Sequence, residues 1–287
     1  MSELSPSRKI VVMIPTLNEE RSLGKVIDTI PMKEFHERGF LVEVIVVDGD
    51  SKDNTREVAL SRGARVYVQE GKGKGLGVRQ AFSLSHPQEV VLKALSGKDG
   101  AVGDIYVLST LLDSQYLLML DGDGTYPSRY LVDLVDALEE GRDVVMGSRF
   151  RGKIMPGAMS KLNYFGNLAL STSASILYMH PCTDVCTGLW GFRLDAIRAM
   201  DLDSDRFDLE AEMYAVSVRN HLKIKEIPID YYPREGDSKL VPINSGTMIF
   251  RKLLQRRFIS ADVERFSGDP ETDMVRMNAM VRPRQEP

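Results

Sequence analysis

Cysteine and histidine are scarce in this chain, and their scarcity closes off two chemistries. Cys182 and Cys186 are the only cysteines, and the four histidines are scattered. A structural zinc site takes four Cys or His ligands, and His180 is the only histidine near the pair. The two cysteines therefore read as reduced thiols of a cytosolic protein. Long apolar runs are missing as well. No stretch reaches the roughly 18 apolar residues of a membrane span. The N-terminus, MSELSPSRK, has no apolar signal-peptide core. The expectation is a cytoplasmic protein at the cytoplasmic face of the membrane, touching lipid only peripherally. Charge of one sign is not in excess, with 41 acidic against 37 basic residues and a net charge of −4. No global basic field calls for nucleic acid, so anions must be met by local clusters.

What is present is a chain of 287 residues, 43% hydrophobic, long enough for one large α/β core or two small ones. Strand and helix signals alternate through the first half. Ile10 to Ile14, Leu41 to Val47, Arg65 to Val68, Tyr116 to Leu120 and Asp143 to Met146 are short apolar runs of the kind buried in parallel sheets. Between them, helices are predicted over Glu19 to Ile30 with Asn18 as N-cap, from Asp53 to Arg62 with Gly63 as the stop, over Leu76 to Leu84, and over Leu131 to Leu138. This order implies a mostly parallel, helix-covered sheet. Pro87 to Ser114 interrupts the rhythm and reads as an insertion. After Arg151 the chain adds helices over Leu162 to Tyr178, Leu209 to Arg219 and Thr247 to Phe258, the last amphipathic and basic, and a strand over Lys223 to Ile229. Residues 260–287 read as a polar, disordered tail.

Ligands of open parallel sheets bind at the carboxyl ends of the strands. Three polar clusters fall at such ends: Pro15-Thr-Leu-Asn18-Glu19, Asp48-Gly-Asp50 and Asp121-Gly-Asp123. The last is the sharpest. Two carboxylates two residues apart after an apolar strand suit a hard cation with oxygen ligands, Mg2+ or Mn2+, bridging to a diphosphate. No Glu stands where an EF-hand needs one; capping of a helix near Ser128 is the alternative. The glycine-rich run Gly71 to Gly77 is not a Walker motif, and both a basic loop near a nucleotide and a plain turn fit it.

The stretches IPTLNEE, VVDGDSKDNT, GKGKG, LMLDGDGTYP, VMGSRF, PGAMSKLNYFGN, DVCTGLWGFR, FDLEAEM and YYPREGDSKL run in order from about Lys9 to Phe258. Together they resemble family-2 glycosyltransferases, and within them the polyprenyl- and dolichyl-phosphate sugar synthases, in wording most similar to archaeal dolichyl-phosphate hexose synthases of N-glycan assembly. The resemblance implies a single GT-A domain over residues 1–259. That domain is a Rossmann-like, mostly parallel sheet covered by helices, with a C-terminal extension on the acceptor side.

By the same resemblance, Pro15, Asn18, Glu19, Asp48 and Asp50 are expected to hold base and ribose, and Asp121 and Asp123 the metal and diphosphate. Arg149, Arg234 and Lys239 are expected to meet phosphate, with Lys74 in the basic loop and Lys161 where some relatives carry Arg. Asp184 and Thr187 should line the sugar pocket, and Glu210 and Glu212 lie in the helix bordering it. The implied reaction is metal-dependent, inverting transfer of a hexose from a nucleotide sugar, UDP-hexose first, to dolichyl or polyprenyl phosphate. GDP-mannose or a non-lipid acceptor is the alternative, and a non-catalytic sugar-nucleotide binder the second. A dehydrogenase is not indicated, because no Gly-x-Gly-x-x-Gly follows the first strand.

Overall fold

The computed structural model describes residues 8–83, 114–235 and 242–259. The expected insertion, apart from Ser114, and the expected tail lie outside them, as does Lys239.

Seven strands form one sheet: β1 (Arg8–Thr16), β2 (Phe40–Asp48), β3 (Arg65–Val68), β4 (Tyr116–Met119), β5 (Val144–Ser148), β6 (Trp190–Arg193) and β7 (Ile224–Pro228). Their order across the sheet is β3-β2-β1-β4-β6-β5-β7. Neighbours β3, β2, β1 and β4 are mutually parallel, and β5 pairs parallel with β7. β6 runs antiparallel to both β4 and β5. That strand has no counterpart among the sequence expectations.

The period-two geometry of strands gives the sheet two cores. Ile10, Val12 and Ile14 of β1 face one side with Val44, Val46 and Leu118. Val11 and Met13 face the other with Ile45, Val47, Leu117 and Met119. The first side is covered by α1 (Leu23–Asp28), α2 (Met32–Glu37), α3 (Thr55–Ser61) and α5 (Tyr130–Glu139). The second is covered by α4 (Lys74–Ser83), α6 (Lys161–Tyr178), α7 (Leu194–Arg198), α8 (Leu209–Arg219) and α9 (Pro242–Phe258). The α/β, mostly parallel, helix-covered sheet is therefore present.

Two local expectations are corrected. Asn18 does not cap a helix. It sits at φ 52°, in the left-handed region that Asn tolerates, and α1 begins only at Leu23. Its side-chain oxygen instead accepts the backbone N–H of Lys52 at 2.7 Å. The final helix starts at Pro242 rather than Thr247, and its basic side is not wholly solvated. Lys252 and Arg256 are buried against Asp203, Asp208 and Glu212.

Candidate active site

The parallel block brings the ends of β1, β2 and β4 to one edge, and the loops there are stitched together by backbone donors. Gly49 N–H donates to Thr16 O at 2.9 Å. Asn18 N–H donates to Ser51 Oγ at 2.9 Å, Glu19 N–H to Thr55 Oγ1 at 2.8 Å, and Glu20 N–H to Asp53 Oδ2 at 3.1 Å. Asp48 is the buried pin of this arrangement: its carboxylate accepts the N–H of Ser51 at 2.9 Å and the Ser51 hydroxyl. Asp48 does not reach the cleft wall. Asp50 does, half exposed and bonded to Lys52 Nζ at 2.5 Å. Lys52 first, then Arg56 and Lys72, hold its carboxyl below the usual range.

A cleft of about 1240 Å³ opens along this edge. Asp121 and Asp123 stand on its wall beside Gly122, where a Cβ would lie 2.7 Å from Thr16 Cγ2. Only glycine lets the β1 and β4 ends approach so closely. Asp121 Oδ1 accepts Lys74 Nζ at 2.6 Å, and the same ammonium reaches Glu210 Oε1 at 2.6 Å. Burial pushes the Asp121 carboxyl up to about 6, with Asp123 and Glu210 adding to the rise and Lys74 opposing it. Lys74 is driven above its usual range by Asp121 and Glu210 in spite of its burial. Asp121 Oδ2 faces Gly188, where a Cβ would lie 2.2 Å away. Asp123 Oδ1 accepts the N–H and hydroxyl of Thr125 at 3.0 and 2.7 Å, and Oδ2 meets Arg234 Nη1 at 3.2 Å.

Two carboxylates on one strand end give an all-oxygen donor set that suits Mg2+ or Mn2+. No cluster of three or more His, Cys, Asp or Glu among the described residues forms a complete metal cage. A cation held here would therefore complete its shell from water or a diphosphate, as Mg2+ does in phosphate-handling sites.

The remaining cations are mostly committed. Arg149 is buried and forks onto Asp184, with Nε to Oδ2 and Nη2 to Oδ1 both at 2.7 Å. Its Nη2 also donates to Cys186 O at 3.0 Å, and its guanidinium lies 5.1 Å from the Tyr231 ring centroid. Arg234 bridges Glu19 and Asp123. Asp184 and Thr187 are buried behind the wall, Asp184 holding Arg149 in place. Lys161 begins α6 at the surface, and the Lys161 side chain is not part of the lining.

Glu210 lines the cleft; Glu212 does not. Residues two apart on a helix point about 200° from each other. Glu212 consequently faces α9, accepting Arg256 Nε at 2.6 Å and the N–H of Ser204 at 2.8 Å. Lys72 and Arg206 also line the cleft and were not singled out from the sequence, although Lys72 is the first lysine of GKGKG and Arg206 immediately precedes FDLEAEM.

The far end of the same cleft is uncharged, walled by Met159, Leu162, Ala169 and Leu170 with Asn163 and Asn167, beside Ser245, Thr247 and Ile249 of α9. Ser160 caps α6 by accepting the N–H of Asn163 at 3.2 Å. Leu162 of this lining and Phe165 on the same helix are 60% and 65% exposed.

The chain is similar to known proteins in family, in sequence and in fold. The sequence model of Glycosyl transferase family 2 matches residues 11–92 and 108–200. Glycosyltransferase AglJ of Haloferax volcanii is 34% identical over 249 residues, covering 86% of this chain and 71% of that one. The Dolichyl-phosphate hexose transferase of the same organism is 31% identical over 248 residues, covering 86% and 92%. Among solved structures, glucosyl-3-phosphoglycerate synthase from Mycobacterium tuberculosis with Mn2+, UDP-glucose and phosphoglyceric acid superposes with a TM-score of 0.62 at 18% identity, covering 89% of this chain and 81% of that one. The fold is thus that of GT-A glycosyltransferases.

Proposed function

We propose that this chain, which belongs to glycosyl transferase family 2 and is a glycosyltransferase, moves a hexose from a nucleotide sugar, UDP-hexose first, to the phosphate of a dolichyl or polyprenyl lipid. The observation that carries this is the two-ended cleft. One end gathers Asp50, Asp121, Asp123 and Arg234; the other is walled by α6 and α9 and carries no charged side chain, with Leu162, Leu170 and Ile249 among Asn163, Asn167, Ser245 and Thr247. A sugar nucleotide with a divalent cation suits the first end, and a lipid whose only charge is its phosphate suits the second. The name of the 31%-identical relative, a dolichyl-phosphate hexose transferase, supports the acceptor. The UDP-glucose and Mn2+ of the fold neighbour support the donor and the metal.

The protein's own residues have a limited task. Asp50, on the cleft wall after β2, would hydrogen-bond base and ribose. Asp121 and Asp123 would hold Mg2+ or Mn2+, and a bound cation supplies neutralisation of charge on the departing diphosphate. Arg234 keeps a guanidinium beside Asp123 while Glu19 orients it. An oxygen of the acceptor phosphate bonds to C1 as the bond from C1 to the diphosphate breaks, its electron pair leaving with the nucleoside diphosphate. A phosphate monoester is already ionised near neutral pH, so no strong general base is required. Positioning and fixed charge carry the rate, and a single in-line displacement inverts the anomeric centre.

The acceptor end also suits a peripheral encounter with the cytoplasmic face of a membrane. Residues 144–183, which include all of α6, contain no Asp or Glu, and neither does α9. Exposed Phe165, Ile176, Phe250 and Phe258 share these two helices with exposed Arg251 and Arg257. Apolar residues interspersed with cations fit an anionic lipid surface. Among the described residues no helix is long and apolar enough to cross a membrane.

The test is a donor screen. Purified protein is given UDP-glucose, UDP-N-acetylglucosamine or GDP-mannose, with and without dolichyl phosphate, and nucleoside diphosphate release is followed. Release that depends on dolichyl phosphate with a UDP-hexose supports the proposal. Release only with GDP-mannose corrects the donor. Release that dolichyl phosphate does not stimulate removes the lipid acceptor.

A further inference from the structure

Six cationic side chains line the cleft among the described residues: Lys52, Lys72, Lys74, Arg149, Arg206 and Arg234. Four are matched by carboxylates. Lys52 pairs with Asp50, Lys74 with Asp121 and Glu210, Arg149 with Asp184, and Arg234 with Glu19 and Asp123. Lys72 and Arg206 make no hydrogen bond or ion pair with any described residue, and both are exposed to the cleft.

These two are not loose surface charges, because the loops that carry them are locked together. A Cβ at Gly73 would lie 2.1 Å from Asp205 O and 3.5 Å from Arg206 Cγ, and one at Gly75 would lie 2.5 Å from Ser204 O. The glycines let the two backbones touch, so the stem of Arg206 runs alongside Gly73. Leu76 N–H donates to Asp205 O at 3.1 Å, and Arg79 pairs with Asp205 at 3.1 Å. From below, Glu212 accepts the N–H groups of Asp203 and Ser204 while Arg256 grips its carboxylate.

Lys72 stands two residues before Lys74, whose ammonium holds Asp121, and its charge is felt at Asp50. The stem of Arg206 lies beside Gly73, between Lys72 and Lys74, which puts both cations with Lys74 and Asp121 on the charged part of the cleft. A guanidinium grips phosphate oxygens as a fork and an ammonium as a point charge.

We propose that Lys72 and Arg206 form a phosphate-binding pair that holds the diphosphate of the nucleotide sugar and retains it as the nucleoside diphosphate leaves. This rests on the chain taking a nucleotide-sugar donor. When the bond between C1 and the diphosphate breaks, the electron pair goes to a diphosphate oxygen, and these two unneutralised cations face the charge that develops there. Arg149, already neutralised by Asp184, is left to shape the wall.

The test is calorimetry with UDP and GDP in the presence of Mn2+, and separately with uridine, guanosine and farnesyl monophosphate. Wild type is compared with Lys72→Ala, Arg206→Ala and Arg206→Lys. Each alanine variant is expected to bind the preferred nucleoside diphosphate about tenfold or more weakly, the loss of one charge-assisted contact. Arg206→Lys recovers part of that loss, while the nucleoside, farnesyl monophosphate and the thermal midpoint are unaffected. Unchanged diphosphate affinity overturns the proposal. So does an equal loss for the nucleoside, or a loss confined to farnesyl monophosphate, which would give the pair to the acceptor. If wild type binds neither UDP nor GDP, the donor assignment itself fails and the pair's role falls with it.

Discussion

Arg149 and Asp184 form a two-pronged ion pair in the wall of the cleft, both contacts at 2.7 Å and both side chains almost completely shielded from water. The aspartate also accepts the backbone N–H of Arg149 at 2.9 Å, fixing the turn that follows β5.

Removing Asp184 therefore strands a buried guanidinium. Asp184→Ala is expected to lower unfolding stability by about 3–5 kcal/mol, the usual consequence of breaking a buried pair from one side. Urea denaturation measures it. A midpoint equal to that of wild type would show that Arg149 is not held in this way.

Asp48 and Asp50 stand two residues apart with separable tasks. Asp48 is buried and accepts both polar hydrogens of Ser51, so Asp48→Ala should destabilise the fold by about 1–3 kcal/mol. Asp50 is exposed to the cleft at φ 67°, a conformation that Asn also tolerates. Asp50→Asn is expected to raise the KM for donor more than it lowers kcat, without altering stability. Steady-state kinetics beside thermal melts separate the two. An effect of Asp50→Asn on kcat alone contradicts its place in donor binding.

Arg234 touches Glu19 and Asp123 from the loop after β7 and is only partly covered. Arg234→Ala is expected to cost about 2–4 kcal/mol of transition-state stabilisation, two to three powers of ten in turnover. Arg234→Lys should recover a fraction, because a lysine cannot fork between the two carboxylates. Turnover near wild type in Arg234→Ala would remove the residue from the site.

The three strand-end clusters were legible because an apolar run followed by Asp-Gly or Pro-x-x-Asn is a local signal, and a parallel sheet brings such ends to one edge. β6 was not legible. Trp190 to Arg193 is four residues long with a glycine and an arginine among them, and its extended form comes from being paired on both sides. Asn18 looked like a cap because Asn favours caps; its left-handed backbone is imposed by the β2 loop, 34 residues away. The pairing of Arg149 and Arg256 was not legible, for a tertiary reason. Their partners Asp184 and Glu212 lie 35 and 44 residues away, and no local pattern announces them. Glu210 and Glu212 could have been told apart by helical geometry alone, since side chains two apart cannot share a face.

Metal-assisted transfer of sugar to a lipid phosphate, as proposed, is read directly by one assay. Wild type and Asp123→Asn are incubated with radiolabelled UDP-hexose and dolichyl phosphate, with Mn2+ or with EDTA, and the label entering the organic phase is counted. The predicted result is label in the lipid phase for wild type with Mn2+, and almost none with EDTA or with Asp123→Asn, whose circular dichroism stays that of wild type. Full incorporation in EDTA, or near-normal incorporation by Asp123→Asn, would contradict it.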